Sequence, residues 1–340
     1  MYFVVFWKNI ELSKIELNIL NPSNLKIVWN VAFFETDNYD FLSKLSGIVK
    51  YWKLINENEF VFDPKVILWT NNLDFANYIK KKYWIKRYKI IWLQNTDLEI
   101  KNKWIEILNF DWKCCLVKWY QNIDLYSNID YDKSISGMNV GMMPSKLTHL
   151  MINLWIFSSD NFVNNLSIYD PFVGFGTTWF VANWLWYNFI WSDINISSVK
   201  KNLKWRNETN FVNNDKKFTL YKHDVNDLFK KSFLKNVNVI VSEWFLWPLV
   251  SRKTKKHEYI NNQKKVLELY KRFFDNVIAF WWKNNINLCI TFPYYLESDS
   301  NFLETELSFH IKNLWQKFFV PKTIYHRKKQ LVWRKFIIFE

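Results

Sequence analysis

Acidic residues recur where apolar, strand-like runs end in the second half of this 340-residue chain. In YDPFVGFGTT (169–178), Asp170 closes such a run, and Gly174 and Gly176 follow it. Two glycines let the backbone pass close to a ligand at the carboxyl edge of a sheet. A dinucleotide fingerprint needs a third glycine and receives a phosphate at a helix N-terminus. Here an acid stands ahead of the loop, which repels phosphate and suits a cation. Asp193 in WSDIN lies 23 residues further on, at the end of the next run. An acid there can accept both hydroxyls of a ribose, or cap the following helix. Asp224 in KHDVNDL could accept an adenine amine or serve as another cap. VIVSEWFLWP (239–248) ends a fourth run. Ser242 and Glu243 offer acceptors for the N–H groups of an amine, and Phe245 offers a surface for its ring.

These segments need a scaffold that brings strand ends together. From about residue 131, strand-like and helix-like stretches alternate: LSIYD, a helix to about 184, YNFIWSDI, ISSVKKNLKWRNE, FTLYKHD, a short helix VNDLF, VNVIVSE, a long loop, a helix from 261 to 280, INLCITFPYY and ETELSFHIKNLW. That alternation predicts an α/β fold with a mostly parallel sheet covered on both faces. The final pair, FFVPKTIYHR and LVWRKFIIFE, predicts an antiparallel hairpin at one edge. Residues 1–130 read as a separate α+β region with no catalytic constellation, suited to scaffolding or substrate docking.

Composition narrows the partners. Formal net charge is +14, which favours an anionic partner such as nucleic acid. No apolar run reaches the roughly 18 residues of a membrane span. Three cysteines without metal-type spacing argue against a bound metal and point to a reducing cytoplasm. The composition is abnormal in one respect: 21 Trp against 5 Gly. Together they are 26 of 340 residues, close to the ordinary glycine content of about 7%. Some bacterial lineages read UGA as glycine, and a common alternative table reads it as Trp. Most tryptophans here are therefore expected to be glycines in the native protein. KYWKL, FDWKC, NWLWYNFIWSD and AFWWKNN all fall at expected turns or element ends.

An acid-rimmed, phosphate-free loop fits S-adenosyl-L-methionine, which carries a sulfonium and an ammonium. The four segments, in this order, resemble class I S-adenosylmethionine-dependent methyltransferases. GMNVGMMPSKLTHLMINL, DPFVGFGTT, SEWFLWPLV and YHRKKQLVWRKFIIF together resemble the tRNA guanosine N2-methyltransferases that carry a THUMP-type RNA-binding region ahead of the catalytic domain. YFVVFWKNIELSKIEL and LSGIVKYWKL fit the leading ferredoxin-like segment of that family.

The resemblance implies a Rossmann-like methyltransferase domain over 131–340, with a seven-stranded sheet, and a ferredoxin-like/THUMP-like RNA-docking region over 1–130. It implies that Pro144 and Lys146 pack over the methionine end of the cofactor. Asp170, Phe172, Gly174 and Gly176 match the cofactor loop, Asp193 the ribose acid and Asp224 the adenine-side acid. Ser242, Glu243 and Phe245 occupy the place of the usual Asp/Asn-Pro-Pro-Tyr/Phe, and that departure leaves the target atom open. A DNA amino-methyltransferase or a catalytically silent RNA-binding homologue are the alternatives. Two basic clusters flank these motifs: Arg252, Lys253, Lys255 and Lys256 in one, Arg327, Lys328, Lys329 and Arg334 in the other. They are expected to contact tRNA phosphates. Mass spectrometry of the peptide spanning 184–191 from the native host should read glycine at 184, 186 and 191.

Overall fold

The computed structural model describes residues 1–55, 67–93, 104–110, 113–135, 142–156, 166–209, 218–229, 237–243, 255–281, 287–295, 302–314, 318–319, 324–325 and 332–339. The chain forms two compact units, Met1–Leu125 and Tyr126–Glu340.

The first unit opens β1 (Tyr2–Phe6), α1 (Ile10–Asn18), β2 (Ser23–Val28), β3 (Val31–Glu35), a 3-10 turn (Tyr39–Lys44) and β4 (Ile48–Ile55). Its strands pair antiparallel in the order β2-β3-β1-β4, a ferredoxin-like arrangement. Asn9 caps α1 through its side-chain oxygen. Glu16 of α1 is fully buried and accepts from Ser46 N and Oγ, both at 2.8 Å, and from Gly47 N at 2.5 Å. A Cβ at Gly47 would lie 2.8 Å from Ser13 Cα, so only glycine allows this close approach. The sheet continues through β8 (Lys113–Val117), β7 (Trp104–Phe110), β5 (Ile67–Thr70) and the edge strand β6 (Arg87–Ile90), with α2 (Leu73–Tyr83) between β5 and β6. The short β9 (Trp119–Tyr120) also pairs with β4. Lys50 on β4 and Glu106 on β7 meet at 2.6 Å with no exposed side-chain surface, and Tyr120 donates to Glu106 at 2.7 Å. Removing one partner of such a pair costs about 3–5 kcal/mol, because the other charge stays buried.

A short helix, α3 (Ile123–Ser127), crosses the boundary between the units. The second unit then runs α4 (Ser145–Ile156), β10 (Ser167–Asp170), α5 (Thr177–Trp184), β11 (Asn188–Asp193), α6 (Ser197–Thr209), β12 (Phe218–Lys222), β13 (Val239–Glu243), α7 (Lys256–Trp281), β14 (Asn287–Tyr295), α8 (Phe302–Leu314), β15 (Phe318–Phe319), β16 (Ile324–Tyr325) and β17 (Val332–Phe339). The sheet order is β12-β11-β10-β13-β14-β17-β15. β10 to β14 are parallel, while β17 runs antiparallel to β14 and carries β15 and β16 antiparallel to itself. This is the Rossmann-like sheet with an antiparallel edge that the alternation of elements predicts. Tyr169, Ile240 and Ile290 of the strands pack with Tyr270, Phe273 and Phe274 of α7 and Leu307 of α8 in one buried cluster. β11 and β13 lie on opposite sides of β10, so chain order reverses there and a crevice opens at its carboxyl end. The short helix expected at 225–229 is absent. Asp224 instead folds the chain into a turn by accepting from Asn226 N at 2.9 Å.

Several tryptophans sit in backbone conformations that suit glycine. Trp29, Trp84 and Trp186 have φ of 60°, 57° and 66°. They occupy the β2–β3 turn, the C-cap of α2 and the residue after the C-cap of α5. Their side chains are 88%, 82% and 51% exposed, so packing does not repay the strain. The left-handed region costs an L-residue about 1–2 kcal/mol. Trp179 and Trp191 are buried and stacked at 5.0 Å, and neither indole N–H finds an acceptor among the described residues. Buried indoles ordinarily find one. Trp52 differs from the sequence expectation: it lies inside β4, opposite Phe3, and not at a turn. Trp205 lies inside α6, where an indole is an ordinary residue. Changing Trp29, Trp84 or Trp186 to Gly should each raise the unfolding free energy by about 1 kcal/mol in urea titrations. Trp52→Gly should lower it.

Candidate active site

The site grows from the last residue of β10. Asp170 is 1% exposed, accepts from Phe172 N at 2.9 Å and from Ser242 Oγ at 2.5 Å, and takes a further hydrogen bond from Thr178. Burial pushes its carboxyl up to about 7, and these three donors only partly oppose the shift. Ser242 reaches it from β13, the neighbour across the crevice. Ser242 has no exposed surface and is not part of the cavity lining; its hydroxyl is directed at Asp170.

The loop after Asp170 turns through two left-handed glycines, Gly174 at φ 51° and Gly176 at φ 84°. Gly176 is also the N-cap of α5, and a Cβ there would come within 3.0 Å of Val199 Cγ2. Asp193, at the end of β11, ties this loop down. One of its oxygens accepts from Gly174 N and the other from Asn195 N, both at 2.9 Å. Burial raises its carboxyl, opposed by these backbone donors. The Ile194 N–H is a third backbone donor to it; a carboxylate has about four lone-pair sites, so room remains for a hydroxyl.

The loop opens on a cavity of about 440 Å³. Four acids line it: Asp170, Asp193, Asp224 and Glu243, each from the carboxyl end of a different strand or the residues just after it. Phe172 and Gly174 contribute to the same wall. Asp224 is half-buried, and its Oδ1 accepts from both nitrogens of Asn226 at 2.9 Å. Glu243 is ion-paired with Arg334 of β17. Among the described residues, no group of His, Cys, Asp or Glu is arranged to hold a metal. None of the described helices is long and apolar enough to cross a membrane.

The remaining sequence candidates divide. Pro144 and Lys146 do not line the cavity. Pro144 immediately precedes α4, its carbonyl accepting from Thr148 N at 3.0 Å and Oγ1 at 3.1 Å. The Lys146 ammonium sits 5.8 Å from the Tyr126 ring centroid. Met142 and Met143, just ahead of them, take the place on the wall. Arg334 departs most from its expected role in phosphate contact. It is 1% exposed and committed to Glu243, so it offers no surface to a backbone phosphate. Lys255 is exposed, and Lys256 begins α7 where a loop was expected. Phe245, Arg252, Lys253, Arg327, Lys328 and Lys329 lie outside the described residues.

Sequence reasoning missed His223, Thr177 and Thr178 on the wall, and Lys133 behind it. His223 adjoins Asp224 and could have been flagged by that adjacency. Lys133 donates to Thr177 Oγ1 at 2.8 Å across 44 residues, and burial lowers its ammonium to about 8. Nothing in the sequence pairs the two.

No protein-family model matches the chain, and no curated protein matches it. Solved structures with a similar chain path include TrmN from Thermus thermophilus, at 10% identity over 100% of this chain and 99% of that one, with a TM-score of 0.48. The human methyltransferase 10 domain containing protein is similar at 12% identity over 64% of this chain and 95% of its own, with a TM-score of 0.40. Precorrin-6y C5,15-methyltransferase from Geobacter metallireducens is similar at 10% identity over 62% and 96%, with a TM-score of 0.39. The chemistry of the cavity has to be read from its own residues.

A cation placed against Asp170 would draw its carboxyl below its present value near 7. Binding then releases a proton in slightly acidic solution, and affinity falls as pH drops through 7, by up to about tenfold per pH unit. Calorimetry in two buffers of different ionisation enthalpy should show that release, and Asp170→Asn should abolish it.

Proposed function

We propose that the chain is an S-adenosylmethionine-dependent RNA methyltransferase that transfers a methyl group to an exocyclic amine, the N2 of a guanosine in tRNA. The observation that carries this reading is the ring of four strand-end acids around one crevice. Such a ring suits a ligand with two positive centres and a nucleoside, and disfavours a phosphate. In this assignment Asp170 faces the cofactor ammonium, Asp193 the ribose hydroxyls and Asp224 the adenine amine. The left-handed glycine loop lets the ligand lie against backbone, and Met142 and Phe172 add apolar contact.

Glu243 then stands where the acceptor amine enters. The lone pair of an exocyclic guanine nitrogen is delocalised into the ring. A carboxylate accepting its N–H bonds favours a pyramidal nitrogen and exposes that lone pair to the methyl carbon, in line with sulfur. The C–S bond breaks as the N–C bond forms, leaving a neutral thioether and a cationic nitrogen, which after attack passes its proton to Glu243 and on to water. No strong base is needed, so positioning and electrostatics supply most of the acceleration. A base inside a helix must first be extruded to reach the crevice. The net charge of +14 and the ferredoxin-like first unit support RNA as the macromolecule.

Tritium transfer from labelled cofactor to tRNA or DNA, followed by nucleoside mass spectrometry, tests the reading. N2-methylguanosine in tRNA is expected; label in DNA alone overturns it. Asp193→Ala should abolish cofactor binding. Glu243→Ala should leave binding intact and lower turnover.

A further inference from the structure

The pairing of Glu243 with Arg334 joins strands that are not neighbours. β13 pairs with β14, and β14 with β17. In register, Glu243 lies opposite Thr291, and Arg334 lies opposite Pro293, two residues further along β14. Residues two apart on a strand share a face. Glu243, Thr291, Pro293 and Arg334 therefore lie on one face of the sheet, and the arginine spans β14 to reach the acid. Around them the same face is apolar: Val239, Val241, Cys289 and Phe336 are all fully buried. Thr291 is fully buried and its hydroxyl has no partner among the described residues. A guanidinium with 1% exposure amid such neighbours is costly unless its charge is used.

We infer that Arg334 is a positioning residue for the acceptor step: its guanidinium fixes Glu243 at the cavity wall, in the ionised, hydrogen-bond-accepting form. This rests on the proposed methyl transfer and deepens it. A guanidinium favours the charged form of an adjacent carboxylate. It also fixes the direction of that carboxylate, since the planar fork allows few geometries. An acid held this way accepts hydrogen bonds well and donates none. The site therefore selects a nitrogen that carries hydrogens, an exocyclic amine, over a bare ring nitrogen, which would need a donor. It also makes Glu243 a poor base during attack, in keeping with a proton lost only afterwards.

The test uses the full chain as wild type, Arg334→Met, Arg334→Lys and Arg334→Ala, with cofactor affinity from calorimetry and single-turnover transfer to tRNA. Arg334→Met should keep cofactor affinity within about twofold and slow transfer at least about tenfold. Arg334→Lys should recover part of the loss, because it keeps the charge but not the fork. Guanidinium ion, far below denaturing concentration, should restore transfer to Arg334→Ala and raise its melting temperature, and leave wild type unchanged. A variant that merely unfolds would lose cofactor binding in the same proportion as transfer, and guanidinium would restore neither; that result overturns the inference. So does an Arg334→Met that transfers as fast as wild type. A wild type that methylates no nucleic acid overturns the functional reading, and this inference with it.

Discussion

A carboxylate sealed from water at the end of the central strand sets the terms for the rest of the second unit. Asp170 sits where chain order reverses, so strands leave it on both sides and a crevice opens above it. Burying an acid there is unfavourable, and the surroundings supply only enough donors to hold it, not enough to restore an ordinary carboxylate. Ser242 comes from across the crevice and Phe172 from the turn itself. The glycine loop, the tether from Asp193 to Gly174 and the N-cap at Gly176 keep that turn in place. The remaining electrostatic demand is turned toward the cavity. An acid left so short of compensation suits the positively charged ligand proposed above.

Much of this was legible in the sequence because parallel strands end where their ligands bind. Asp170, Asp193, Asp224 and Glu243 were marked by their position after apolar runs, and the fold brings all four to one wall. The period of the strands and helices also made the sheet and its antiparallel edge readable. Arg334 and Ser242 differ from expectation through a dependence on distant partners. Arg334 looked like one more cation in a basic run, and only the order of β13, β14 and β17 shows that it crosses the sheet to an acid. Ser242 looked like a substrate contact, yet its hydroxyl turns to Asp170. Met142 and Met143 line the wall one to four residues ahead of Pro144 and Lys146, a displacement that periodicity does not resolve.

The tryptophans divide along the same physical line. At positions 29, 84 and 186 the backbone is left-handed whatever the side chain, because the turn and the helix ends require it. A positive φ of that kind is one that glycine adopts without strain. Trp179 of α5 and Trp191 of β11 are buried, and their indole nitrogens have no partner among the described residues. These rings pack on each other and on Phe218, and do not reach the cavity, so they form no aromatic cage for a substrate. Trp52 and Trp205 show the opposite case, since a strand interior and a helix interior make no demand for a positive φ.

The insertion of β17 between β14 and β15 has a kinetic side. Glu243 and Arg334 are 91 residues apart, and neither β15 nor β16 has its partner until β17 has docked. Sheet closure over such a separation carries a loop-closure entropy that local contacts cannot offset early. The parallel strands and their helices can collapse first, which leaves the outer side of β14 as an open edge in the meantime. An edge of that kind is a template for pairing with other chains. The strand that brings Arg334 to Glu243 therefore also ends the period in which a folding intermediate is most exposed to aggregation.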